Sequence, residues 1–186
     1  MPNSSPHPKP SPRERILDTA GELFYAEGIR AVGVDRVVDE SGVARMTLYN
    51  QFGSKDGLVT AWLTRRDAAW MTWLEERVAA LGSTIEAVFD ALAEWFASDT
   101  FRGCAFINTQ AEIGGSNETA AGLVRAHKQA LQGFLEQVAR DTGAKDASGI
   151  AAELLMLVEG AIVTASIGTV ADPAEIAKRA ASKLVK

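Results

Sequence analysis

Between residues 16 and 184 the apolar side chains of this chain recur three and four positions apart, and nowhere does an alternating pattern persist. A period near 3.6 puts such residues on one face of a helix, whereas a half-buried strand needs a period of two. The chain is therefore expected to be all-α. Glycines and capping residues cut the pattern into about nine helices, with no internal repeat.

The first helix is announced by SPRE. Ser11 can cap it, Pro12 suits the first helical position, and Glu14 can complete a capping box. Ile16, Leu17, Ala20, Leu23 and Phe24 follow at helical spacing, and Gly28 is a natural stop. Two short helices come next, one marked by Val34, Val37 and Val38, the other by Leu48 and Phe52. The Ser-Gly-Val turn at residues 41–43 between them is the sign of a helix-turn-helix. Ser54 then caps a long helix over residues 55–81, which would run about 40 Å at 1.5 Å per residue. Further on, a capping box is expected at Ser83 and Glu86. A short helix near residues 104–112 is broken by Gly114 and Gly115. Apolar stripes then mark helices through Leu131 and Leu154, and a last helix starts at Asp172 and Pro173.

The second short helix poses a chemical question. Leu48 and Phe52 share one face and point inward, which leaves Arg45, Thr47, Tyr49, Asn50 and Gln51 around the outside. That surface suits a DNA major groove. Arg pairs with guanine, Asn and Gln with adenine, and a Thr methyl meets a thymine methyl. Tyr bonds phosphate or rests on sugar. Ser54 and Lys55 open a helix whose free N–H groups favour a phosphate.

With these residues in place, the segments RILDTAGELFYAEGIRAVGVDRVVDESGV and TLYNQFGSKDGL within residues 13–58 resemble the DNA-binding domain of the tetracycline-repressor (TetR) family. The resemblance implies that Thr47, Tyr49, Asn50 and Lys55 contact DNA. By position Arg45 and Gln51 join them, and Arg36 on the preceding helix is placed to reach the backbone. Gly33 and Ala44 stand where the family often has a hydroxyl residue. Gly57 stands where an acidic residue or Ala is common, and on propensity it should loosen its turn by up to ~1 kcal/mol.

The remainder resembles the family more weakly, through its architecture and the segment RGCAFINTQAE at residues 102–112. The resemblance implies a domain that binds a small molecule and forms the dimer. Aromatic residues are concentrated here and punctuated by polar ones, as a ligand cavity requires. The candidate ligand residues are Trp70, Trp73, Phe89, Trp95, Cys104, Asn108, Glu112, His127 and Glu159. His127 on an apolar stripe equally suits a satisfied core histidine. Ala151, Ala152, Gly160, Ala161 and Ala165 would let helices approach closely, and with residues 174–184 could form a four-helix bundle across a two-fold axis.

The expected organisation is an arm at residues 1–10, a three-helix helix-turn-helix domain at 11–58, and a ligand-binding and dimerisation domain at 59–186. The net charge of −5 does not oppose DNA binding, because residues 1–66 hold nine Lys/Arg against eight Asp/Glu while residues 67–186 hold ten against sixteen. Cys104 is the only cysteine, which suits a reducing cytosol. The first residues lack the apolar run of a signal peptide, and no stretch is expected to reach the run of about 18 apolar residues that spans a bilayer. With two histidines, no metal-ligand cluster, no phosphate-cradling loop and no nucleophile elbow, neither an enzyme nor a cofactor is expected. Two functions fit: a ligand-responsive, homodimeric, cytoplasmic DNA-binding regulator, acting as a repressor at a palindromic operator, or a helical small-molecule-binding protein without sequence-specific DNA binding.

Overall fold

A computed structural model describes residues 9–184 and, among these, contains nine α-helices and no strand. They are α1 (Pro12–Glu27), α2 (Val34–Ser41), α3 (Arg45–Phe52), α4 (Lys55–Ala80), α5 (Ile85–Phe96), α6 (Ala105–Ile113), α7 (Glu118–Asp141), α8 (Ala147–Ile167) and α9 (Pro173–Ala181). The arm expected at residues 1–10 lies, up to residue 8, outside the described residues. The chain divides into two compact units, Met1–Trp62 and Leu63–Lys186, so the division falls inside α4.

The smaller unit is closed by Ile16, Leu17, Ala20, Leu23 and Phe24 of α1 against Val37, Leu48, Leu58 and Trp62, all buried. Phe24 meets Trp62 edge-on, with centroids 5.5 Å apart. The α1 capping box forms as its sequence implies, with Glu14 N–H donating to Ser11 Oγ and Ser11 N–H to Glu14 Oε2. Gly42 takes the left-handed conformation (φ +63°) that turns α2 into α3, and its N–H donates to the Val38 carbonyl. Arg15 of α1 braces this turn by donating to the carbonyls of Ser41 (3.3 Å) and Gly42 (3.4 Å).

Gly57 reverses the expectation drawn from helix propensity. A Cβ placed there would lie 2.0 Å from the Phe52 carbonyl oxygen. The chain passes so close to its preceding turn that only glycine fits, and the Ser54 hydroxyl accepts the Gly57 N–H at 3.0 Å.

In the larger unit α7 packs on α6 and α8, while α9 packs on α5 and α8. Two polar contacts fasten α9 to α5: Lys178 to Asp90 (2.7 Å) and the Ser182 hydroxyl to Glu86 (2.9 Å). The capping box expected at Ser83 does not form. Ser83 sits at φ +57°, and Thr84 is the cap, its hydroxyl accepting from Ala87 N–H at 3.1 Å. The turn after α4 needs one more residue than the sequence pattern indicates.

Helix α8 corrects a third expectation. By length and composition alone it is apolar enough to cross a membrane. Its Ala151, Leu154, Val158, Ala161 and Ile162 are nevertheless buried inside this unit. Ala151 and Ala161 are therefore core residues, whereas Ala152 and Gly160 are exposed.

Candidate nucleic-acid interface and effector cavity

Helix α3 has one fully buried side chain, Leu48, which locks it against the smaller unit. Arg13 of α1 lies over the Phe52 ring, 5.0 Å from its centroid, and secures the other end. The outward face is polar and crowded. Arg45, Tyr49, Asn50 and Gln51 are exposed, while Thr47 and Lys55 are half-buried. The structure thus brings six of the seven predicted DNA residues onto α3 and the first residue of α4.

Met46 belongs to the same surface, although its residue type did not mark it as a DNA contact. It is 66% exposed, and it shares a helical face with Tyr49 and Asn50 at spacings of three and four. An apolar residue on the outer side of so short a helix is the signal that could have found it.

Two of the predicted residues already have partners. Arg45 pairs with Asp35 of α2. Arg36 is gripped by both Glu27 oxygens and by Glu40 Oε1 (2.7 Å), contacts that push its pKa further above the ordinary guanidinium value. The same bonds hold the Glu27 carboxyl below its usual range. Solvent-exposed pairs of this kind are weak and exchange readily for another anion. Arg36 thus acts in this state as a clasp between α1 and α2.

The larger unit holds a narrow cavity of about 10 Å³, lined by Arg66, Trp70, Trp95, Cys104, Ala105, Phe106 and His127. Four of the nine predicted ligand residues line it: Trp70, Trp95, Cys104 and His127. Trp73 stands behind, with its ring 6.3 Å from that of Trp70 and 6.4 Å from that of Trp95. Phe89 is buried in the α5 core away from this lining. Asn108 is exposed and donates to the Arg102 carbonyl at 3.2 Å. Glu112 is half-buried and likewise not among the lining residues.

His127 is 2% exposed. Its ring stacks on Phe106 at 3.8 Å and meets Trp70 edge-on at 5.4 Å. Burial lowers its pKa, outweighing the Asp67 carboxylate that favours the charged form. At neutral pH the ring is therefore neutral, with Nδ1–H donating to Asp67 at 2.7 Å. Glu159 does not stand alone. Lys128 bridges it (2.8 Å) to the Cys104 sulfur (3.3 Å). Asp67 and Lys128 are not legible in the sequence because the partners of both are distant along the chain. Among the described residues no group of three or more His, Cys, Asp or Glu is placed to hold a metal ion.

Residues 16–62 match the family model described as bacterial regulatory proteins, tetR family. The chain is 30% identical over 139 residues to the HTH-type transcriptional repressor ComR of Escherichia coli, an alignment covering 70% of this chain and 66% of that protein. It superposes on the crystal structure of a TetR-family transcriptional regulator from Streptomyces coelicolor with a TM-score of 0.85 and 29% identity, covering 95% of this chain and 90% of that one. This chain belongs to the TetR family. Another relative is the HTH-type transcriptional activator FasR of Mycolicibacterium smegmatis, 30% identical over 90 residues, which are 45% of this chain and 41% of that protein. The chain thus spans less than two thirds of the length of these curated relatives, whereas the fold match to the Streptomyces TetR-family protein is nearly complete.

Proposed function

We propose that this TetR-family chain is a soluble, cytoplasmic, homodimeric transcription repressor that binds a palindromic DNA operator and is released by a small molecule. The observation that carries the reading is the α3 surface: a short helix with Leu48 alone buried and Arg45, Met46, Tyr49, Asn50 and Gln51 exposed together. Arg45, Asn50 and Gln51 read base edges, Thr47 and Met46 meet thymine methyls, and Tyr49 and Lys55 hold phosphates. Lys55 acts together with the free N–H groups opening α4. Arg36 reaches the DNA backbone by exchanging Glu27 for a phosphate. Repression rather than activation follows the naming of ComR, and FasR marks the opposite sign within the relatives.

The dimer forms through α8 and α9. Met156, Val163 and Ile167 of α8 are exposed with Gly160 between them, and Val170 and Ile176 extend the apolar surface. An isologous four-helix contact would bury this face, and it accounts for the apolar character of α8 without a membrane. Two α3 helices would then address half-sites about 34 Å apart. Effector in the cavity displaces the second half of α4, which is continuous with the first half adjoining α3. Only a difference in effector affinity between the DNA-competent and released states can drive this.

The double substitution Tyr49→Ala with Lys55→Ala tests the assignment. Operator affinity should fall at least about a hundredfold, from two hydrogen bonds to charged phosphates worth roughly 1.5–3 kcal/mol each, and the salt slope should shrink by about one for the lost lysine. Sedimentation should show the dimer unchanged. Retained affinity would refute the assigned face.

A further inference from the structure

An acid stands at the edge of the outward face of α3. Asp35, the second residue of α2, forms an ion pair with Arg45, the first residue of α3. The pair joins the first turns of the two helices that Gly42 separates, and both side chains lie more than half in solvent, 73% for Asp35 and 54% for Arg45. The helix dipole favours an acid in the first turn of α2. It does not explain why that carboxylate engages α3. Stability does not explain it either, because an ion pair this exposed contributes little.

The position of the pair decides what it can do. A carboxylate beside a duplex is repelled by the phosphates, and only base edges offer it donors. In the major groove those donors are the amines of adenine and cytosine. Adenine sets its N7 acceptor next to the amine, which repels a carboxylate, whereas the cytosine N4 amine has no acceptor beside it on its own base. A guanidinium presents its N–H donors in a planar fork. Asp35 engages Nη2 of Arg45 and leaves other donors of the fork free. Guanine offers O6 and N7 to two such donors. Holding the arginine in place before DNA arrives also reduces the rotamer freedom it must give up on binding.

We propose that Asp35 and Arg45 act as one unit that reads a guanine–cytosine pair in each operator half-site. Arg45 donates to O6 and N7 of the guanine, while Asp35 positions the guanidinium and accepts from the N4 amine of the paired cytosine. An adenine–thymine pair in the same place would set the adenine amine against the arginine and the thymine O4 against the carboxylate, like against like. This rests on the reading of α3 as the DNA-reading helix, and it adds a specificity determinant on α2.

Selection from random duplex DNA, run in parallel with the full chain and its variants Arg45→Ala and Asp35→Ala, tests it. The unaltered protein should enrich a half-site with one G·C pair whose replacement by A·T lowers affinity about tenfold. Arg45→Ala should bring that ratio close to one and leave preferences elsewhere in the half-site unchanged. Asp35→Ala should reduce the ratio at the same position by at least about threefold. If that variant does not fold, Asp35→Ser, which suits the start of a helix but is too short to hold Arg45, should give the same loss. A carboxylate with no reading role would behave differently: its removal would tighten binding to every sequence alike, through the phosphates, and leave the ratio unchanged. That result, or an enriched motif with no position that depends on both residues, would overturn the proposal and leave the DNA-binding reading intact. No enriched motif from the unaltered protein would overturn both.

Discussion

The outward face of α3 is assembled from consecutive residues, 45–51, on one short helix. The cavity draws instead on α4, α5, α6 and α7 and on the cap of α6. The first surface needs only a helical period and one inward anchor, Leu48, to aim its side chains. The second exists only once distant helices have packed, and polar pairs such as Asp67–His127 and Lys128–Glu159 help to hold it. A contiguous surface tolerates change at its rim and fails when its backbone mount is disturbed. A distributed one responds to the ionisation of the groups that bind its walls together.

Gly57→Ala gives the largest expected effect on the first region. Propensity favours Ala by up to ~1 kcal/mol, but the new methyl would meet the Phe52 carbonyl oxygen at 2.0 Å. Forced overpacking commonly costs ~1–3 kcal/mol, so the variant should be less stable by about 1 kcal/mol or more in urea melts, with weakened operator binding. An equally stable variant would mean that the Phe52 carbonyl does not crowd this position.

His127→Gln probes the second region. The folded state holds the neutral ring because burial lowers its pKa below the ordinary value of 6.5. Below that pH the unfolded chain takes a proton that the folded chain refuses, so stability falls as pH drops through 6.5 and continues falling toward the lowered pKa. Above it the group adds no slope. Urea midpoints from pH 8 to 5 should therefore decline less steeply in the variant. Identical profiles would show that His127 is not held neutral.

Gly33→Ser should have the smallest effect of the three. Gly33 caps α2 at φ −81°, and a Cβ added there would meet nothing within 4 Å. A hydroxyl there should add a few tenths of a kcal/mol and leave the cavity's ligand affinity untouched. Loss of stability would mean the α2 cap is not open as described.

Local chemistry explains which features could be read from the sequence. The all-helical fold, the Ser11–Glu14 capping box, the Gly42 turn and the outward set of α3 all depend on residues a few positions apart. Ser83 misled because two adjacent hydroxyl residues can cap one helix, and only the backbone decides that Thr84 does. Gly57 misled because its constraint comes from the carbonyl of the preceding helix rather than from its own turn. Phe89 and Trp73 have the composition of cavity residues, but an apolar stripe does not say which of its members faces a void. Lys128 looks like an ordinary helix-surface cation until packing sets it between Cys104 and Glu159.

In vitro selection from random duplex DNA by the purified full chain, at fixed moderate salt, decides whether α3 reads sequence. A reading pair of α3 helices should enrich a two-fold symmetric motif with half-sites about one helical turn apart. Salt-sensitive binding with no enriched motif would mean that only the phosphate backbone is held, and would contradict the assignment of α3 as the reading helix.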